Sequence, residues 1–470
     1  MIGALLWLSV ALGGDVLGWR RDGTGVFPDA TPPTHWSTTD SVAWKVAMPA
    51  RSNASPIVVG GTVFVTAEPA ALLAVRASDG AILWRRDHGV EITRKTQAER
   101  ELAKREMAEI PLLRVAVRDG QRAVSELRRA ARAGGSTPDL LARIDVATKD
   151  LYAKQGRLDT LEARYPTPPD EQSSEYASGF VGFSSSTPVS DGRRVYVVFA
   201  NGVVAARELD GSLAWATWVG APATSMRGYH EGHAASPVIA GGVLVVGMGS
   251  LVGLDLATGV VRWRGASYED FGTPAVVQVG AEAMVVTPGG DVVRGRDGAK
   301  VGSLGRTLWY TGPVPHPGGV WLVGNHTSDT ASGSDYTLGV SGGAVNTSTR
   351  WTATLPTDRY YGAPAPWGGL LNMVSRHGQV LALGTAGGAV AFRETFDLGA
   401  VGEIYSSPCV AGDLLFITSD AGNTLVLRLT AQGYQRVGVN PLEEMRSSLV
   451  FSGRDIYARG MKYLWKLHGG

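Results

Sequence analysis

The chain has 470 residues, of which 44% are hydrophobic, and it holds 62 glycines and 24 prolines. The glycines and prolines recur between short apolar runs, which predicts a turn-rich β protein with few helices. The formal net charge of +1 gives no reason to expect binding to nucleic acid or to an anionic membrane surface. The single cysteine, Cys409, excludes an intrachain disulfide, a cysteine-rich zinc site and a CxxC redox motif.

The chain begins with an apolar run, Met1–Leu12, followed by Gly13 and Gly14. The run is too short to span a bilayer comfortably and has the length of a signal-peptide core, although basic residues are missing from its start. We predict a signal peptide over residues 1–14 and export to the periplasm or the medium; the alternative is an apolar N-terminal strand. No cysteine follows the run, so lipid attachment there is not expected. No other segment approaches the length of a transmembrane helix.

A repeat organises most of the chain. Each copy begins with a small residue and a proline, followed by apolar residues, a glycine turn and an alternating apolar strand. The copies recur about every 40 to 50 residues, which is the length of a four-stranded propeller blade. The anchors are Ser55-Pro56, Thr187-Pro188, Ser236-Pro237, Thr273-Pro274, Gly312-Pro313, Ala363-Pro364, Ser407-Pro408 and, without a proline, Ser447-Ser448.

The second half of the repeat has a tight turn, usually Asp-Gly, followed by a short strand that carries a tryptophan. Asp-Gly supplies the positive φ that a tight hairpin needs. A tryptophan at one fixed place in each copy predicts packing between neighbouring sheets. The clear copies are Asp79-Gly80 with Trp84, Asp210-Gly211 with Trp215, Asp255 and Gly259 with Trp263, and Asp297-Gly298, which lacks the tryptophan.

The two ends of the repeat region are complementary. The last copy has strands near Leu449, Ile456 and Leu464 but no outer strand, and Val42–Val46 reads like the missing one. Their pairing would close the ring and remove two exposed sheet edges. The sequence therefore predicts an all-β fold: an eight-bladed β-propeller of four-stranded blades, closed by an N-terminal strand and carrying an inserted α-helical hairpin.

The inserted hairpin is predicted at residues 91–165, a charge-rich stretch without the repeat. Apolar residues recur at helical spacing over Thr93–Ala133 and Pro138–Ala163. Pro138 suits the first position of a helix, whereas Pro111 should kink or interrupt the helix before it. The hairpin would separate an N-terminal segment with blade 1, residues 15–90, from blades 2 to 8, residues 166–470.

The repeat, Ser-Pro-Val-x-x-x-Gly-x-Val-x-Val followed by Asp-Gly-x-x-x-Trp, resembles the PQQ-like (pyrroloquinoline-quinone-like) β-propeller repeat. The opening Gly18–Val26 looks like the start of exported bacterial proteins of this group. The group includes quinone-dependent alcohol dehydrogenases and the propeller lipoprotein of the outer-membrane assembly machinery. One cysteine cannot supply the adjacent pair of the dehydrogenases, their Glu/Asn/Asp metal set cannot be mapped, and the lipid-bearing cysteine of the lipoprotein is missing. We therefore expect no bound quinone or other cofactor.

The candidate binding site is the central funnel. In a four-stranded meander, the residues just before each anchor surround the central opening on one face, and the hairpin should join the propeller on that same face. Propeller pockets are commonly central, and function tends to lie on loops held by a rigid scaffold. The candidate residues are Arg51, Asn53, Ser184–Ser186, His230, Glu231, His233, Tyr268, Asp270, Tyr360, Tyr361, Glu403, Tyr405 and Arg446.

Several of these residues have structural alternatives. His230 and His233 could bind a metal with a third ligand, but they lie in a glycine-containing loop rather than on a helix, and we assign no metal site. The adjacent tyrosines at 360–361 could simply cover the edge of the core. No Ser/His/Asp order, phosphate-binding loop or paired-carboxylate spacing is recognisable, so we assign no catalytic residues.

The two arginines of the set also have two interpretations. Arg51 and Arg446 could clamp an anionic ligand, because a guanidinium binds a carboxylate with two parallel hydrogen bonds. They could equally pair with Asp270 and Glu403 and tie blades together, which is the interpretation we favour.

The sequence favours a non-catalytic function. We expect an exported scaffold or recognition protein that binds a protein or cell-envelope partner through the funnel face and the hairpin. The alternative is a small-ligand sensor or an oxidoreductase similar to quinone-dependent dehydrogenases, using the central funnel. The missing cysteine pair favours the first function, and the polar and aromatic funnel keeps the second open.

Overall fold

The computed structural model describes residues 14–165, 181–220, 233–268, 271–327, 329–341, 344–399 and 402–469. Nearly all of the predicted signal peptide therefore lies outside the described residues. The chain forms two compact units, one of residues 1–88 with 170–470 and the other of residues 89–169. Among the helices in the described part of the chain, none is both long and apolar enough to cross a membrane.

The first unit is built from eight successive sheets, which we call blades 1 to 8. Two short strands precede them, β1 (Val26–Phe27) and β2 (Val42–Ala47). The strands of blades 1 to 4 are β3 (Ile57–Val59), β4 (Thr62–Ala67), β5 (Ala71–Arg76), β6 (Ile82–Asp87), β7 (Val189–Ser190), β8 (Arg194–Val198), β9 (Val203–Glu208), β10 (Leu213–Trp218), β11 (Val238–Ala240), β12 (Val243–Asp255), β13 (Val261–Tyr268), β14 (Ala275–Val279), β15 (Glu282–Val286), β16 (Asp291–Arg294) and β17 (Lys300–Ser303).

Blades 5 to 8 continue the same antiparallel order. Their strands are β18 (Val314–His316), β19 (Gly319–Asn325), β20 (Ala331–Ser341), β21 (Ala344–Thr354), β22 (Ala365–Trp367), β23 (Leu370–Val374), β24 (Gln379–Gly384), β25 (Val390–Thr395), β26 (Cys409–Ala411), β27 (Leu414–Thr418), β28 (Asn423–Thr430), β29 (Gly433–Pro441), β30 (Val450–Ser452), β31 (Asp455–Arg459) and β32 (Tyr463–His468).

The burial of the strands follows from blades that pack face to face. The middle strands β5 and β9 are buried on both faces and consist mainly of Val, Leu and Ala. The outer strand β6 is mostly exposed, with only its tryptophan buried. Continuous apolar strands in the middle of each sheet, and outer strands with few buried residues, are what this packing requires.

Two blades depart from the predicted four strands. In blade 3, β12 is one long strand that pairs with β11 through Val243–Val245 and with β13 through Gly249–Leu254, so this sheet has three strands. In blade 7, β1 adds a fifth strand, parallel to β26, next to the centre of the ring. Nothing in the sequence pattern predicted this extra strand.

The predicted ring closure is confirmed. Strand β2 pairs antiparallel with β32 and becomes the outer strand of blade 8, with Trp44 opposite Lys466 and Val46 opposite Leu464. The closing strand comes from the start of the chain and the other three from its end. The pairing therefore fastens the first and last blades together without leaving either edge open.

Tryptophan docking between blades is also confirmed. Five indole Nε1–H groups donate to a backbone carbonyl of the following blade at 2.7–3.1 Å. Each ring covers the turn glycine of that blade, where φ is +70° to +86° and an added Cβ would lie 2.4–2.9 Å from the ring. The turn therefore needs glycine for two reasons, its backbone conformation and the space taken by the indole. The pairs are Trp44 with Gly80, Trp84 with Gly211, Trp215 with Gly259, Trp263 with Gly298 and Trp351 with Gly388.

The second unit is a helical hairpin of α1 (Gln97–Gly134) and α2 (Pro138–Arg164). Thr96 caps α1 in a capping box with Glu99, and Thr137 caps α2, which begins with Pro138 as predicted. The predicted interruption at Pro111 does not occur, because α1 continues through it. The lost hydrogen bond is a small part of so long a helix, which also packs along α2.

Ion pairs join the two helices along one side. Arg157 makes a two-pronged contact with Glu109 at 2.8 and 3.1 Å, and Arg114 contacts Glu162 at 2.7 Å. Large apolar side chains remain exposed on both helices, with Leu112 71% exposed and Val146 67% exposed. The hairpin thus buries only part of its apolar surface.

Candidate functional site

The anchor residues form a ring in which hydrogen bonds join most of the neighbouring blades. We call them the anchor ring: Ser55, Thr187, Ser236, Thr273, Gly312, Ala363, Ser407 and Ser448. At six blade junctions the backbone N–H of one member donates to the side-chain hydroxyl of the next, at 3.0–3.1 Å. The bond from Ser448 to Ser55 joins the last blade to the first. The repeated Ser or Thr of the sequence is therefore a junction between blades.

The anchor ring is interrupted at two adjacent positions that have no hydroxyl, Gly312 and Ala363. A Cβ on Gly312 would lie 2.1 Å from the carbonyl oxygen of Thr273. The backbones of blades 4 and 5 therefore approach too closely there for any side chain. Ala363 is buried and has a Cβ, so its missing hydroxyl has no such steric cause.

A second ring lies two residues before the anchors, one residue in each blade. We call it the rim ring: Asn53, Ser185, Ala234, Phe271, Tyr310, Tyr361, Tyr405 and Arg446. Both rings line one central cavity of about 630 Å³. Residues two apart on an extended chain face the same side, whereas the residue between them faces the opposite side. The residues between the two rings are accordingly buried in the blades.

The cavity has two different halves. The rim residues of blades 1 to 4 are an amide, a hydroxyl, a methyl and a phenyl group, whereas those of blades 5 to 8 are three tyrosines and an arginine. Arg359, Arg376 and Glu403 extend the second half. The cavity thus has a small-residue side and an aromatic, charged side, which we call the aromatic–arginine wall.

Ring contacts hold the aromatic–arginine wall in one geometry. Tyr310 and Tyr361 meet edge to face, with centroids 4.8 Å apart and planes at 79°. Tyr361 and Tyr405 stack at 4.8 Å and 16°. The guanidinium carbon of Arg446 lies 5.2 Å from the Tyr405 ring centroid. These contacts cross three blade junctions, so the wall is ordered before any ligand arrives.

Polar contacts fix the charged groups of this wall. The Tyr405 hydroxyl donates to Glu403 at 2.5 Å, and Arg376 lies 3.6 Å from the same carboxylate. Burial, followed by the hydrogen bond to Glu403, raises the pKa of Tyr405 above its ordinary value. A hydrogen bond from Arg359 to the Tyr361 oxygen raises the pKa of Arg359. Both groups are therefore protonated at neutral pH.

Residues 14–27 form an N-terminal segment that we call the strap. It crosses the face of the ring at which the innermost strand of each blade ends. Near its start, Val16 forms a two-way backbone bridge with Val58 of blade 1. The carbonyl of Leu17 accepts the N–H of Ser190 in blade 2 at 2.7 Å. These bonds attach the strap to the small-residue side of the cavity.

The strap reaches the opposite side through Arg20. Its buried guanidinium donates to the carbonyls of Pro364 and Pro408, in blades 6 and 7, at 2.9 and 3.0 Å. Burial lowers the pKa of Arg20 to about 10, so the group is still a cation at neutral pH. Trp19 lies between the two attachment points and forms part of the cavity wall. The strap therefore forms a floor for the cavity.

The structure places six of the predicted candidates in the cavity wall: Asn53, Ser185, Tyr361, Glu403, Tyr405 and Arg446. Arg51 does not line the cavity. His230 and Asp270 lie outside the described residues, as does Glu231. The predicted pairing of Arg51 with Asp270 therefore also lies outside the described residues. For Glu403, the structure gives Arg376 as an ion-pair partner, 3.6 Å away.

The prediction that Tyr360 and His233 belong to the central binding site is wrong, because both side chains point away from the cavity. Each lies three residues before its anchor, an odd offset, and its side chain faces into the blade. Tyr360 is fully buried in the core, where its hydroxyl donates to the Pro356 carbonyl at 3.0 Å. The His233 ring is buried, and burial lowers its pKa to about 4. Within the described residues, no group of three His, Cys, Asp or Glu side chains could hold a metal ion.

Several residues of the cavity wall were not among the predicted candidates. Tyr310 occupies the same offset from its anchor as Tyr361 and Tyr405, so a fixed count back from each anchor would have identified it. Arg376 comes from the β23–β24 turn of blade 6, and no repeat position marks it. Trp19 belongs to the strap, whose path across the ring has no sequence signature.

Comparison with known proteins agrees with this architecture. The solved structure of BamB from Moraxella catarrhalis is similar with a TM-score of 0.54 and 11% identity, over 90% of this chain and 96% of that one. The quinohemoprotein alcohol dehydrogenase ADHIIG from Pseudomonas putida HK5 gives a TM-score of 0.43 and 12% identity, over 97% and 76%. At 11% identity the likeness to BamB shows the fold alone. No curated protein matches the sequence closely enough to count as a relative.

The family is established by sequence. The profile of a family of PQQ-like repeats, described as outer membrane protein assembly factor BamB, matches residues 3–161 and 174–328, which is more than half of the chain. The predicted resemblance is thereby confirmed. With eight blades, repeated anchors and docked tryptophans, the chain belongs to the BamB-like family of PQQ-repeat β-propellers.

Proposed function

We propose that this protein is an exported, non-catalytic recognition propeller that binds a protein partner at the cell envelope. The observation that carries the proposal is the aromatic–arginine wall at the mouth of the cavity. Tyrosine and arginine are the residues that most often dominate binding energy in protein interfaces. A wall already ordered by its own contacts loses little conformational entropy when a partner binds.

The family membership supports the same function. The matching profile is described as outer membrane protein assembly factor BamB. The apolar run at Met1–Leu12 supports export. The proposal for this chain is a scaffold that holds an envelope protein, with the hairpin as a second recognition element.

The hairpin has the surface that a second recognition element needs. Leu112, Leu141, Val146 and Tyr152 are all more than half exposed. A solvated hairpin of this length has no folding reason to leave such large apolar side chains uncovered. We assign this surface to contact with the partner.

Crosslinking in an envelope extract from the source cells, followed by mass spectrometry, tests the proposal. We expect one dominant protein partner on the wild type and roughly tenfold weaker capture by Tyr405→Ala, because interface hot spots contribute about 2 kcal/mol or more. Trp218→Ala, which removes an exposed aromatic residue from β10, is the matched control and should capture normally. Replacing residues 91–165 with a Gly/Ser linker should leave the propeller folded and weaken capture. Equal capture by all four proteins would refute the proposal.

A second candidate function is supported by the size of the cavity. About 630 Å³ lies within the range of small-ligand pockets, which favours a sensor or a quinone-dependent enzyme. Titration with pyrroloquinoline quinone and calcium, with dye-linked alcohol oxidation as the assay, separates the two functions. We expect no saturable absorbance change and no turnover. Micromolar binding with turnover would replace the recognition function with the enzymatic one.

A further inference from the structure

The anchor ring presents hydrogen-bond donors to the cavity. Each of its six hydroxyls accepts a backbone N–H from the preceding blade, and all six residues line the cavity. A hydroxyl that accepts one bond still has its own O–H to donate. Within the described parts of the chain, none of these six hydroxyls donates to a protein acceptor. The ring is therefore suited to a ligand rich in acceptor oxygens.

The charge of the cavity points in the same direction. Among its described lining residues, the cations are Arg359, Arg376 and Arg446, and the single anion is Glu403. All three arginines lie in the aromatic–arginine wall, so the cationic groups are concentrated on one side. Arg359 and Arg376 also lie 3.6 and 3.5 Å from Asp329 and Asp358, behind the wall. Guanidinium groups bind carboxylates with two parallel hydrogen bonds, and such charge-assisted bonds are the strong ones.

We propose that the cavity is the binding site for an acidic segment of the partner protein, with Asp or Glu carboxylates against the arginines and further acceptor oxygens on the anchor ring. This inference rests on the proposed function and names the chemistry of its partner. A carboxylate has two acceptor oxygens and no donor, and a backbone carbonyl adds one more acceptor. One kind of ligand would then bind both the arginines on one side of the cavity and the hydroxyls of the anchor ring.

The strap determines how such a segment enters. Because residues 14–27 cross the ring on the side of Val58 and Ser190, the cavity has a floor there that includes Trp19. The rim ring lies on the opposite side, so the ligand reaches the anchor ring past Arg446 and the tyrosines. A chain end or a narrow loop fits this one-sided entry, and a folded domain does not.

The test uses fluorescence anisotropy with two synthetic hexapeptides, each carrying the same neutral dye. One alternates glycine with glutamate, and the other alternates glycine with glutamine. We expect the glutamate peptide to bind the full-length protein roughly tenfold more tightly, because hydrogen bonds to charged groups are the stronger ones. Added salt should reduce this advantage, but less than for a surface pair, because the site is partly buried.

Four variants locate the binding. Arg446→Gln should weaken the glutamate peptide roughly tenfold, and Arg446→Lys should restore part of the loss because it keeps the charge. Arg85→Gln removes the same charge from the exposed outer strand β6, where Arg85 pairs with Asp87, and should bind like the wild type. Arg359→Gln is a second cavity variant, which keeps the inference testable if Arg446→Gln does not fold.

The outcomes separate this inference from the proposed function. Equal affinity for the two peptides, no binding of either at millimolar concentration, or equal losses in Arg446→Gln and Arg85→Gln would overturn the acidic ligand. If the crosslinked partner is still captured by Arg446→Gln, the recognition function stands and the acidic segment does not. Glutamate-selective binding that depends on Arg446, without any captured partner, would support the site and contradict the proposed function.

Discussion

Thr187→Val should measure what one junction of the anchor ring contributes to stability. The Thr187 hydroxyl accepts the N–H of Ser55 at 3.0 Å, and both residues are almost fully buried. Valine has nearly the same shape but no acceptor, so the variant leaves the Ser55 N–H buried and unpaired. Such a group costs about 1–3 kcal/mol, and we expect the free energy of unfolding to fall by that amount.

Two further variants make the comparison specific to the hydroxyl. Thr187→Ser keeps the acceptor and loses only a methyl group, so it should be the more stable of the two substitutions. Ala363→Ser adds a hydroxyl where the anchor ring lacks one, within reach of the Gly312 N–H by analogy with the six intact junctions. A new buried hydrogen bond should raise the free energy of unfolding by about 0.5–1.5 kcal/mol.

Urea unfolding followed by tryptophan fluorescence is the assay, because the docked tryptophans report separation of the blades. The denaturation midpoints should rank Ala363→Ser first, then the wild type, Thr187→Ser and Thr187→Val. Equal midpoints for Thr187→Val and Thr187→Ser would refute the reasoning, because the hydroxyl would then contribute nothing. The midpoints can be compared as stabilities only if the slope of the unfolding free energy against urea concentration is the same in all four proteins.

Deleting residues 1–48 removes β2 and exposes the edge of β32, so we expect aggregates in size-exclusion chromatography. Deleting residues 1–28 keeps β2 and should cause less aggregation. If the protein without residues 1–48 stayed monomeric, closure of the ring by β2 would be contradicted. The second prediction concerns pH. Burial, with the charge of Arg207, lowers the pKa of His88 to about 3. Below pH 6.5 the unfolded chain therefore binds a proton at His88 that the folded protein does not bind. The free energy of unfolding should therefore fall by about 1.4 kcal/mol per pH unit from pH 6.5 toward 3, and His88→Gln should remove this part of the slope in urea titrations at pH 7, 6 and 5. An identical slope in both proteins would show that His88 does not couple folding to pH.

The fold could be predicted from the sequence because each repeat carries the residues that form its own turns and its contacts with the next blade. Turn glycines, anchor hydroxyls and docking tryptophans each recur at a fixed offset, and their partners lie in the adjacent blade. The closing strand was also predictable, because an incomplete last blade requires one. In blade 3 the second and third strand positions run together as β12, which pairs with β11 through Val243–Val245 and with β13 through Gly249–Leu254.

The candidate site was predicted only in part, and the reason is strand periodicity. Residues before the anchors were taken together, although most of those that line the cavity lie at even offsets, with Trp309 and Thr311 among the exceptions. Tyr361 and Tyr360 are adjacent, yet one lines the cavity and the other is in the core. Counting by two would have kept Tyr361 and added Tyr310. Arg376 could not be found in this way, because its position depends on how blade 6 packs against blade 7.

The strap also constrains the order in which the molecule can fold. Arg20 is 388 residues away in sequence from Pro408, whose carbonyl it contacts, and β1 pairs with β26 over a similar separation. Contacts between such distant residues cannot form until blade 7 exists, although the strap is made among the first parts of the chain. The N-terminal residues therefore stay unattached while the blades assemble, and the floor of the central cavity forms only in the last steps of folding. Folding with so many distant contacts is slow. Until the strap and β2 are in place, the two open edges of the ring are exposed to neighbouring chains, which makes that late interval the period of greatest risk for aggregation.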